Sequence, residues 1–168
     1  MPARPFAMPH IPIEISARSF LINWLVCLVP TWVAGFMAIT LFAYTPSNAI
    51  LDGLDSGKVA SALLLLCVFA PLVETCLLLY PTHLASLAMR SRWLVLIVGA
   101  SPVILIHALP EVQRAAVVAW AFLWSTHCYL VLTAQRVSIK ARFWFVCGLH
   151  AALNLSAVVG ASLLVNVR

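Results

Sequence analysis

A few polar residues stand inside stretches of sequence that otherwise carry hydrocarbon. Glu74 lies in "APLVETCLLLY", His107 in "SPVILIH", His127 in "WSTHCYL", and His150 and Asn154 in "GLHAALNLS". Glu74 is the one acid in these apolar runs. A carboxyl group at the centre of a membrane helix costs about 3 kcal/mol, so it needs a partner, a proton or a wet cavity. A carboxylate can hold and deprotonate a water, and an imidazole can share that work. A second histidine and an asparagine amide can donate hydrogen bonds to a developing oxyanion. His150 and Asn154, four residues apart, point the same way from a helix and suit that last role. Each histidine taken alone reads equally as a hydrogen-bonding tie between helices. One Glu and two His could also ligate zinc, but no HExxH is present.

Composition dictates what positions these groups. Of 168 residues, 64% are hydrophobic and 9% charged, against about 25% charged in soluble domains. Mean hydropathy is +1.05. The chain is therefore read as an all-α, multi-pass transmembrane bundle of about five to six membrane helices. Residues 1–18 form an N-terminal cytoplasmic tail, and residues 19–168 a single membrane-embedded domain. The net charge of +5 reflects bilayer orientation rather than nucleic-acid binding, because the basic residues flank apolar runs. Most of the five cysteines read as small buried hydrophobes, since no two form a CxxC pair. No GxGxxG or P-loop appears. No cofactor is expected, and a divalent metal is left open.

Five apolar segments have the length a bilayer demands: residues 20–43, 59–89, 93–109, 115–133 and 143–165. The second is long for one span and short for two, with Pro71 and Pro81 as candidate kinks. With the N-terminus inside, Arg4, Arg18, Arg90, Arg92, Arg136, Lys140 and Arg142 fall on the inner side. Lys58, Arg114 and Arg168 fall outside, as do Asp52, Asp55 and Glu111. That bias follows the positive-inside rule, and the expected location is a bacterial cytoplasmic membrane.

The order "PLVET", "SPVILIH", "HAALN" resembles the CPBP family, the CAAX-protease and bacteriocin-processing intramembrane peptidases. Their pattern is EExxxR, then FxxxH, then HxxxN. The intervals fit: 33 residues from Glu74 to His107, and 43 from His107 to His150. The resemblance runs from about residue 63 to the C-terminus. It implies an endopeptidase acting on a membrane-associated protein or peptide, such as a prenylated tail, leader or anchor segment. Glu74 and His107 would activate water, and His150 and Asn154 would bind the oxyanion; the family has been described both as metalloproteases and as glutamic proteases, and this ligand set favours metal-free chemistry. Oligomeric state is not implied.

Three positions depart from the pattern. Thr75 replaces the second Glu, Leu79 the Arg, and Val103 the Phe. Positions 75 and 79 are one helical turn apart, so losing both leaves no stranded charge. Counting depth from the basic boundary sets His127 level with Glu74 and His150, and His107 nearer the far end. Motif spacing selects His107, with His127 second. Two other readings compete. One is an exosortase-like transpeptidase using Cys76, Arg114 and His150, although its "CSG" motif is absent. The other is a non-catalytic membrane chaperone, immunity factor or subunit on a decayed protease scaffold.

Overall fold

The computed structural model describes residues 15–42 and 59–165. The N-terminal tail through residue 14 and the segment carrying Asp52, Asp55 and Lys58 lie outside the described residues, as do Arg4 and Arg168. The helices are α1 (Ala17–Phe42), α2 (Val59–Leu64), α3 (Ala70–Ala88), α4 (Arg92–Ala108), α5 (Val112–Ala134) and α6 (Ile139–Val165). A π-helical turn (Leu65–Phe69) joins α2 to α3. Among the described residues there is no strand.

Four helical rods are long and apolar enough to cross a membrane: Ala17–Leu41, Ala60–Ala88, Val112–Ala134 and Ile139–Gly160. The chain is an integral membrane protein. The fifth apolar helix, α4, has 17 residues and rises about 25 Å, near the lower limit for a span. No sixth membrane helix appears among the described residues. The long second segment is one rod, α2 through α3, and its irregularity is the π turn just before Pro71. Helix α1 begins at Ala17, inside the stretch expected to be tail, because Ser16 Oγ accepts the Ser19 N–H at 3.1 Å. Serine caps also start α4 (Ser91 to the Leu94 N–H) and α6 (Ser138 to the Ala141 N–H). A serine oxygen there satisfies a donor that the helix leaves open.

Helix α5 is central and touches α1, α3, α4 and α6. The core gathers Leu78, Leu79, Ala100, Val103, Phe122, Tyr129 and Val146. Outward faces stay apolar: Leu21, Val29, Val33 and Phe36 of α1 are all more than half exposed. Lipid tails are as apolar as these side chains, so helix association depends on close packing instead. Gly99 of α4 provides it by lying against Thr82 of α3 and Thr126 of α5.

Prolines inside helices free carbonyls that hydrocarbon cannot satisfy. Pro30 removes the donor for the Val26 carbonyl, and Trp120 Nε1 donates to it instead at 2.8 Å. Pro102 does the same to Val98, where the Ser101 hydroxyl donates at 3.0 Å. At the basic end, α5 stops with Arg136 at φ 59°. The Val137 N–H then reaches back to the Leu132 carbonyl. This backbone conformation usually takes glycine.

Candidate functional site

Helices α3 and α4 form an antiparallel hairpin closed by residues 89–91. Glu74 lies about 21 Å along α3 from that link, and His107 about 22 Å along α4. The two side chains are therefore level. His107 Nε2 stands 3.6 Å from Glu74 Oε1, with the side chains 14% and 19% exposed respectively. His107 Nδ1 lies 2.9 Å from the Val103 carbonyl. A carbonyl only accepts, so Nδ1 carries the proton. In the neutral ring Nε2 is then a lone pair facing the carboxyl group. A separation of 3.6 Å is beyond a good hydrogen bond, which leaves both atoms available to a third group.

The pair sits at the polar end of a cleft of about 250 Å³. The rest of the lining is apolar: Leu65 and Phe69 of the π turn, Ala70, Val73 and Leu77 of α3, and Val103 and Ile106 of α4. Leu65, Phe69, Val73 and Ile106 are exposed, so the cleft opens sideways from the bundle, where lipid would lie. Arg114, near the start of α5, acts electrostatically on both Glu74 and His107. The sequence marks Arg114 as an orientation charge, or as the oxyanion partner of a transpeptidase, and gives no sign of this role beside Glu74 and His107. The turn at 109–111 returns the chain beside His107 and carries the cation with it.

His150 and Asn154 are placed elsewhere. Neither lines the cleft. His150 is 3% exposed. Its Nε2 lies 3.1 Å from the Ser125 hydroxyl and its Nδ1 3.4 Å from the Thr75 hydroxyl. Both ring nitrogens are engaged inside the bundle. The Phe122 ring packs against His107 and His150, at centroid distances of 5.2 and 5.0 Å. Asn154 Nδ2 donates to the Leu66 carbonyl at 2.7 Å. The expected four-residue set is thus split into a cleft pair and an internal pair. Thr75 and Leu79, the two departures from the peptidase pattern, are buried on the inward face of α3. Thr75 carries the contact to His150.

His127 does not meet Glu74. It stacks on Trp124 at 4.9 Å, and Arg92 approaches its Nδ1 at 3.5 Å. The depth count fails because the tight link at 89–91 places 74 beside 107, whatever the tilt of the bundle. Cys76, the nucleophile of the transpeptidase reading, is exposed, whereas His150, its base, is enclosed with both ring nitrogens engaged by Ser125 and Thr75. Among the described residues, no three His, Cys, Asp or Glu side chains gather as a metal site. Glu74 and His107 supply two donors.

No family model, curated protein or solved structure matches this chain. The likeness to CPBP peptidases rests on the motif residues and their order.

Proposed function

We propose that this protein is a membrane-embedded hydrolase that cuts a peptide bond in a membrane-associated protein or peptide. The observation that carries this reading is the Glu74–His107 pair, 3.6 Å apart at the end of an apolar cleft open between α3 and α4. A water held against both Oε1 and Nε2 would attack the scissile carbonyl carbon. Its proton passes to the pair and then to the departing amine, while negative charge builds on the carbonyl oxygen. Arg114, whose charge acts on both Glu74 and His107, would offset that charge. His150 and Asn154 act behind this site, holding the helix that carries Glu74. The basic ends of the helices face a bacterial cytoplasm, with the N-terminus inside.

The test is cleavage of a library of membrane-anchored peptides by the purified chain in lipid vesicles. Glu74→Gln and His107→Ala each lower turnover by about 10²–10⁴-fold. The double variant is little worse than either single one, because the two act as a unit. Undiminished cleavage by Glu74→Gln sinks the mechanism. One observation favours a non-enzymatic subunit instead: the histidine and asparagine expected at the oxyanion are consumed by internal bonds. That reading is adopted if Glu74→Gln retains the full cellular phenotype and no peptide in the library is cut.

A further inference from the structure

The π turn before α3 poses an accounting problem for its backbone. The Ala70 N–H bonds the Leu65 carbonyl, one residue further back than an α-helix would reach. The next donor along should serve Leu66, but the next residue is Pro71, which has no N–H. The Leu66 carbonyl is left without a backbone donor, at a depth where water is scarce. Asn154 of α6 fills the vacancy with its amide at 2.7 Å.

This bond has a position as well as a partner. Leu65 and Phe69, on either side of Leu66 in the same turn, wall the cleft. Glu74 comes little more than one helical repeat after the turn. A π turn inserts one extra residue, which rotates the helix before it by about 100° relative to the helix after it. Where the turn sits therefore decides which side chains of α2 and the turn face the cleft beside Glu74. One helical turn before Asn154, His150 meets Thr75, the residue next to Glu74. Helix α6 thus grips the second rod on both sides of Pro71.

Resting on the hydrolase reading, we infer that Asn154 is a positioning residue. Its amide latches the π turn that Pro71 opens, and so holds the cleft wall and the setting of Glu74. It makes no contact with substrate. Asn154 and Pro71 are a matched pair, and Pro71 without the Asn154 amide is disruptive.

Hydrogen exchange read by mass spectrometry on the full chain in lipid nanodiscs tests this through peptides covering residues 64–74. Asn154→Ala speeds exchange there by about tenfold, the loss of one buried hydrogen bond. In a Pro71→Ala background a backbone N–H serves Leu66 again. Adding Asn154→Ala then changes the rate by less than about twofold. Equal acceleration in both backgrounds, or none in the first, overturns the inference. If Asn154→Ala alone does not fold, the Pro71→Ala/Asn154→Ala protein must fold, and its failure also overturns it. Exchange contains no catalytic step, so this result stands or falls apart from the hydrolase reading. With a cleaved peptide in hand, Pro71→Ala restores the turnover lost in Asn154→Ala. An amide aimed at substrate could not be replaced by a backbone donor at 71, so absence of rescue there returns Asn154 to the oxyanion.

Discussion

The close packing of α4 on α3 at Gly99 makes the sharpest stability prediction. A methyl group added at Gly99 would overlap Thr82 Oγ1, and would lie 3.0 Å from Thr82 Cβ and 3.2 Å from Thr126 Cγ2. Thr82 has little room to yield. It is fully buried, its hydroxyl donates to the Leu78 carbonyl at 2.6 Å, and its Cβ does not move on side-chain rotation. Gly99→Ala must therefore push α3 and α4 apart, at a cost of about 1–3 kcal/mol for overpacking. These helices carry Glu74 and His107, so the same displacement widens a gap already at 3.6 Å. The assay is unfolding in mixed micelles of a mild detergent with increasing SDS, for Gly99→Ala, Thr82→Ala and the double variant. Thr82→Ala removes the overlapping hydroxyl, so the double variant recovers at least about 1 kcal/mol relative to the sum of the single ones. A Gly99→Ala protein of wild-type stability, or strict additivity in the cycle, refutes the packing argument.

His150→Ala leaves the Ser125 and Thr75 hydroxyls without their imidazole partner and lowers stability by about 1–3 kcal/mol. Unfolding in the same micelles checks this, and an unchanged midpoint contradicts the internal role given to the ring. Arg114→Ala lowers peptide cleavage by about 10²–10³-fold if it offsets oxyanion charge, while its unfolding midpoint stays near wild type; equal turnover removes it from the site. Trp120→Phe removes the donor to the Val26 carbonyl and costs about 1 kcal/mol, a loss that shrinks in a Pro30→Ala background. A membrane-permeant maleimide modifies exposed Cys76 before buried Cys27 and Cys128, as peptide mass mapping over time would record; the reverse order contradicts the packing of α1 on α5.

Much of the architecture was legible because hydrocarbon permits few solutions. Apolar runs of spanning length must be helical, since only a helix satisfies its own backbone within lipid. Glu74 and His107 stood out for a related reason: an ionisable group there is costly and needs a purpose. Their pairing reflects equal distances to a tight link, although counting depth across separate helices pointed to His127. Sequence also marked His150 and Asn154 as exceptional, and their shared helical face is real.

The surroundings of those two residues were decided only by tertiary structure. A four-residue spacing sets two side chains on one side of a helix, but not which neighbour lies opposite. Packing placed Ser125 and Thr75 around the imidazole, and a proline-freed carbonyl before the amide. Arg114 shows the converse. Its position in a short link identified it as a charge near the membrane boundary. Only the return of the chain at 109–111 set that charge where its field acts on Glu74 and His107. Periodicity is a property of one helix, whereas hydrogen-bond partners and electric fields belong to several at once.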